Sequence, residues 1–216
     1  MKSTKTRPRK THAAFWDWFG ENAEALSADT GNSALLTEID NRIRDLSPLL
    51  SWEIGPGRSK PWQFVVSPSL DRSLRNLARQ IISSAPTLRD WEFHSARQSK
   101  DWNYKFELKS NLHSTVISLD ASSWTFVLLR YPEGTHEILL KGSELPLLTP
   151  DEREQAAAIV LVSILGEDTF LDTVDEFELV DVLDPRFAEK QKPIWGLRDA
   201  VIGSADGTHL SNKLVN

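Results

Sequence analysis

The chain has no cysteine and a single methionine among its 216 residues. Without cysteine there can be no disulfide, no thiolate metal cage, no iron–sulfur cluster and no cysteine nucleophile, and the composition fits a reducing compartment. No apolar run is long enough to cross a bilayer. The longest, 156–165, is interrupted by Ser163 and reaches about half of the roughly 20 residues required. No secretory leader is expected either: Lys2, Lys5, Arg7, Arg9 and Lys10 are basic, but Phe15 to Phe19 is too short for the apolar segment and contains Asp17. Glycine-rich phosphate loops and the Gly-x-Ser-x-Gly elbow are absent, and no two histidines stand at His-x-x-x-His spacing. The expectation is a cytoplasmic protein with no membrane attachment, no cofactor, no metal and no recognisable catalytic constellation.

What the chain does have is aromatic weight. It carries eight tryptophans, and Phe15-Trp16-Asp17-Trp18-Phe19 places four large aromatics within five residues. Side chains of this size bury large apolar areas, so the cluster is expected to anchor a first helix, with Phe15, Phe19 and one of Trp16 and Trp18 buried. Hydrophobic content of 40% and charged content of 26% are those of an ordinary folded domain.

The periodicity changes along the chain. Residues 1–11 read as a flexible basic arm. Helices are expected from Thr11 or His12 to Leu26 and from Ser33 to Leu46, the second with Leu36, Ile39, Ile43 and Leu46 at helical spacing. Leu50–Ile54 and Trp62–Ser67 read as a hairpin about Gly55–Ser59. A third helix is expected to open at Pro68-Ser69, with Leu70, Leu74, Leu77 and Ile81 as its stripe, and Trp91–Ala96 as the strand after it. Trp102 to Lys109 alternates apolar and polar residues, the pattern of a strand wet on one face, with Ser110-Asn111 as a turn into 112–119. Trp124–Tyr131 and Thr135–Lys141 form another hairpin. Thr149, Pro150 and Glu152 give the start signal of a fourth helix, apolar nearly all round and ended by Gly166. A last strand runs over 174–182. Of the tail, 184–216, residues 193–201 are expected to dock and Gly203 onward to fray.

These elements predict an α+β protein with a mostly antiparallel sheet and helices packed mainly on one face. They read as a single domain over 12–183, with halves 12–98 and 99–183. Residues 50–96 and 124–182 share one order, strand–strand–helix–strand.

Four motifs occur in sequence: Phe15-Trp16-x-Trp18-Phe19, Glu53-x-Gly55-Pro56, Ala85-Pro86 followed by Trp91-x-Phe93, and Leu165-Gly166-Glu167. In this order, over roughly residues 13–183, they resemble a family of uncharacterised bacterial proteins. The resemblance implies an α+β domain of bacterial origin and brings no catalytic residues with it. Those relatives continue from Trp-x-Phe into a Phe-Arg-Pro-like stretch, whereas this chain reads His94-Ser95-Ala96-Arg97-Gln98, so no role is carried onto that segment.

The net charge of −6 argues against nucleic acid as the partner, but the charge is unevenly placed. No Lys or Arg occurs from Glu154 through Pro185, while eight acidic residues fall between Glu167 and Asp184. Glu167, Asp168, Asp172, Asp175 and Glu176 are oxygen donors of the kind Mg²⁺ takes, without the spacing of a calcium loop; carboxylates are equally ordinary on loops and exposed strand faces. Of the histidines His12, His94, His113, His136 and His209, the middle three fall on predicted strands, where adjacent strands can bring two together. Arg72, Arg75 and Arg79, at spacings of three and four on the third helix, are the candidate binding residues. Such a stripe can grip phosphate or an acidic surface, or serve as the wet face of a packed helix. The favoured function is binding to another protein without catalysis. The alternative is a metal-dependent hydrolase or nuclease-like enzyme built from scattered histidines and carboxylates, which a deep histidine-lined pocket would favour.

Overall fold

Phe15, Trp16 and Phe19 are all at least 97% buried, and their burial dictates the first third of the molecule. In the computed structural model, which describes residues 11–110, 115–142, 145 and 148–203, helix α1 (His12–Ala28) starts where the Thr11 hydroxyl accepts from the Ala14 N–H. Helix α2 (Ser33–Leu46) is capped by Asn32. Residues 1–10 of the expected basic arm 1–11, residues 111–114 after Ser110, and the tail from 204 onward lie outside the described residues.

Two compact units meet in sequence between Arg97 and Gln98. In the first, β1 (Ser51–Pro56) and β2 (Trp62–Ser67) are antiparallel, and β3 (Trp91–His94) lies parallel beside β2. Period-two alternation gives this sheet one apolar face. Trp52, Ile54, Trp62, Phe64, Val66, Trp91 and Phe93 join the side chains of α1, α2 and α3 (Arg75–Ser83) in one core. Buried indoles need partners for their N–H groups, and both find main-chain carbonyls: Trp16 Nε1 donates to Ile81 (2.7 Å) and Trp91 Nε1 to Ala23 (3.2 Å).

The third helix starts later than its sequence suggests. Ser69 and Leu70 both have left-handed backbone, φ 54° and 65°, so the chain turns sharply after Pro68. A 3-10 turn, Arg72–Leu74, then leads into α3, with Asp71 accepting from the Ser73 N–H at 2.8 Å. Leu70 therefore stands outside the helical stripe expected to include it.

The second unit holds two sheets. β4 (Lys105–Lys109) and β5 (Val116–Asp120) form a two-stranded hairpin. The strand expected from Trp102 begins only at Lys105, because Tyr104 is left-handed at φ 62°. The alternating contacts persist all the same, with the Trp102 ring 5.4 Å from Tyr104 and 6.1 Å from Phe106. The other sheet has the order β8-β7-β6-β9, built from β6 (Thr125–Arg130), β7 (His136–Lys141), β8 (Val174–Val180) and β9 (Lys192–Pro193). Helix α4 (Pro150–Leu165) has the expected capping box: Glu152 accepts from the Thr149 N–H, and Thr149 accepts from the Glu152 N–H. It packs on β8 and on α5 (Glu167–Thr173), a short helix not expected from the sequence. The final segment docks through Ile194, Leu197 and Val201, all buried, and ends in α6 (Leu197–Ile202).

The fold is α+β with mostly antiparallel sheets. In each unit a hairpin is followed by a helix and a third strand parallel to the hairpin's second strand. Among the described residues no helix is long and apolar enough to cross a membrane.

Candidate functional site

Strand β8 alternates by residue type, and its burial follows. Val174 and Leu179 are buried, and Phe177 is half-buried with its ring 5.5 Å from Phe170; Asp175, Glu176 and Glu178 are exposed. β8 pairs with β7 on one side, and among the described residues no strand pairs along the other. The first turn of α4 runs past the end of this open edge. Between them lies a groove of about 740 Å³, walled by Leu148, Pro150, Arg153 and Glu154 on one side and by residues 177–182 on the other. Val182 stands at the groove 79% exposed.

The groove is acidic. Among the described residues Glu154, Glu178 and Asp181 line it against one cation, Arg153. That guanidinium is already engaged: it lies 3.0 Å from the Asp181 carboxylate and donates to the carbonyls of Leu145 (2.9 Å) and Leu148 (3.4 Å). Lys141, opposite Val180 on β7, is the cation of the neighbouring strand. At the other end of the same strand pair, Glu137 is in register with Glu176. The Tyr131 hydroxyl donates to Glu137 at 2.6 Å. This bond, burial and the negative charges of Glu137, Glu176 and Glu133 push the Tyr131 phenol up to about 12. Glu133, Glu137 and Glu176 thus place negative charge at the far end of the strand pair.

The three candidate arginines are not brought to this groove's walls. Arg72 sits in the 3-10 turn, exposed; Arg75 opens α3, half-buried; Arg79 is exposed one turn on. Only Arg75 and Arg79 share α3, and each of the three makes an interaction within the fold. Of the carboxylates weighed as metal ligands, Glu167 is fully buried, whereas Asp175 and Glu176 face solvent on β8. Among the described residues no three His, Asp or Glu side chains converge as a cation cage. His136 is buried on β7, and His113 and His209 lie outside the described residues.

His94 belongs to a polar assembly on the face of the first unit's sheet opposite its core. Its Nε2 lies 3.2 Å from Glu92 Oε1. Glu92 in turn accepts from the backbone N–H groups of Arg58 (2.7 Å), Ser59 (2.9 Å) and Lys60 (3.3 Å), and from the Ser59 hydroxyl. Burial raises the pKa of this carboxyl, but the Arg58 and Ser59 donors together with His94 outweigh it and hold Glu92 well below the usual glutamate range. A carboxylate held ionised by so many donors is a poor proton acceptor near neutrality, and it serves to pin the β1–β2 turn. The turn requires glycine at position 57, where a Cβ would collide with the Lys60 carbonyl and press on the Glu92 carboxyl. Beside it, Arg97 donates to Glu53 (2.6 Å) and to the Ser51 hydroxyl (3.0 Å).

Sequence reasoning noticed the acidity of 167–184 but not the groove. The signal available was the alternation of Asp175, Glu176 and Glu178 with Phe177 and Leu179 after a well-capped helix; that β8 ends the sheet is a matter of strand order. No protein-family model, curated protein or solved structure matches this chain. The functional reading therefore rests on its own residues.

Proposed function

We propose that this chain works by binding another protein, one with a basic surface, in the acidic groove beside β8. One observation carries the reading: an open strand edge beside a groove of about 740 Å³ lined, among the described residues, by three carboxylates and one guanidinium already held by Asp181 and two carbonyls. Charge of one sign along a recess steers an oppositely charged partner and rejects others, and it requires no reacting group. Among the described residues no histidine lines the groove, which supports binding over the hydrolase or nuclease-like alternative. The lack of cysteine fits a reducing compartment such as the cytoplasm as its place of work.

The test is capture of partners from host lysate by the tagged chain and by a Glu176→Lys/Glu178→Lys variant. The wild-type chain should retain a basic protein that the variant loses. Added salt should weaken the wild-type interaction, because exposed charges are screened over about 8 Å at physiological ionic strength. A partner held equally by both forms contradicts the reading.

A further inference from the structure

We infer that the groove takes its partner as an added β-strand: an extended segment, alternating basic and apolar residues, that pairs through its main chain with the open edge of β8. This rests on the reading of the groove as a protein-binding surface and specifies what enters it.

The main-chain geometry supplies the first part of the argument. The Val180 carbonyl accepts from the Gly142 N–H at 3.3 Å, so Val180 turns its main-chain groups toward the β7 side. Main-chain groups alternate sides along a strand, which points those of Phe177 and Leu179 outward, along the groove wall. An unpaired row of N–H and C=O groups is a template for another chain. A strand would lie about 4.8 Å from β8, and residues 177–182 line the groove of about 740 Å³.

The side chains specify the occupant. On the solvent face an incoming strand meets Glu176 and Glu178, where cross-strand neighbours of opposite charge are favourable. On the other face it meets Phe177 and Leu179, flanked by Leu148 and Pro150, which suit apolar residues. The predicted pattern is therefore Lys or Arg alternating with Val, Ile or Leu. A second copy of β8 is rejected, because Glu176 and Glu178 would face their own kind across the pair. Nucleic acid is rejected for the same reason, its phosphates meeting carboxylates. Edge strands are commonly protected by charge; here the protection is selective, refusing acidic edges and admitting basic ones.

The probe is a seven-residue peptide of alternating Lys and Val, capped at both ends, titrated calorimetrically into the full chain. Two further peptides carry N-methyl groups on every valine nitrogen or on every lysine nitrogen. In a strand these two sets of N–H groups point to opposite edges, so only one set can face β8. The parent peptide should bind. One methylated peptide should lose roughly tenfold or more in affinity, as expected when several hydrogen bonds are removed together, while the other stays within about threefold. Equal binding of all three peptides overturns the inference, since charge alone would then suffice. Failure of the parent to bind overturns it too. The Glu176→Lys/Glu178→Lys variant separates the two claims: if that variant loses the lysate partner although no peptide binds, the groove is a binding surface for a folded basic protein and strand addition is wrong.

Discussion

The guanidinium of Arg153, on the first turn of α4, sits 3.0 Å from the carboxylate of Asp181, just beyond the end of β8. The pair spans the groove where helix and strand come together. The two partners are not equivalent. Arg153 also donates to the carbonyls of Leu145 and Leu148, so it holds the approach to α4 whether or not Asp181 is charged. Asp181→Asn should cost about 0–1 kcal/mol, as partly exposed ion pairs do. Arg153→Ala should cost more, about 1–3 kcal/mol, because main-chain acceptors lose a charged donor. Urea unfolding of both variants checks the order; equal losses would mean that the ion pair, and not the carbonyl contacts, carries the stability.

Phe19 is fully buried, with its ring 5.0 Å from that of Phe64 and 5.1 Å from that of Trp91. Phe19→Ala should destabilise the first unit by about 3–5 kcal/mol, the usual cost of removing a large aromatic from a packed core. Denaturant unfolding followed by tryptophan fluorescence reads this directly, and an unchanged midpoint would refute the anchoring role given to α1.

Much of this was legible in the sequence because the signals are local. The Thr149-Pro150-x-Glu152 start of α4 needs only neighbouring residues to be recognised, and the β1–β2 and β6–β7 hairpins announce themselves by strand-like runs and turn composition. The aromatic run could only be satisfied by burial. Illegible features depend on backbone choices or strand order that no short window encodes. Leu70 and Tyr104 adopt left-handed backbone without being glycine, so a helix and a strand begin later than their side-chain patterns suggest. Asp175, Glu176 and Glu178 were visible as carboxylates, but their meaning depends on β8 lying at the end of its sheet, which is decided by pairing across the whole unit. Nothing beside Glu92 in the sequence marks it out, because its backbone donors come from residues 58–60, more than thirty positions earlier.

Glu92 predicts a distinctive acid response. Its folded pKa lies below the ordinary glutamate value of about 4.3. The stability it contributes is therefore fully present above that value and is lost as pH falls through the lower folded one. Glu92→Gln should be less stable than wild type at pH 7 and should lose less on acidification. Urea midpoints measured for both proteins at neutral pH and near pH 3 test this. Parallel curves would show that the carboxylate does not pin the turn.

Tyr131 responds at the other extreme of pH. With its phenol pushed up to about 12 by Glu137 and the carboxylates beyond it, its neutral form is favoured. The stability it contributes is present below the ordinary tyrosine value of about 10 and is lost as pH rises through the folded one. Ultraviolet titration should show a late phase of phenolate formation that Tyr131→Phe removes and Glu137→Gln moves to lower pH. A Glu137→Gln variant with an unmoved late phase would contradict an acidic surface at that end of the sheet.

The most direct test of the central claim is amide chemical-shift mapping of the isotope-labelled full chain titrated with the alternating Lys–Val peptide. The account predicts shifts concentrated on residues 177–182 and at Arg153 and Glu154, reduced in the Glu176→Lys/Glu178→Lys variant. Shifts gathered instead around Arg72, Arg75 and Arg79 or around His94, with 177–182 unmoved, would contradict it.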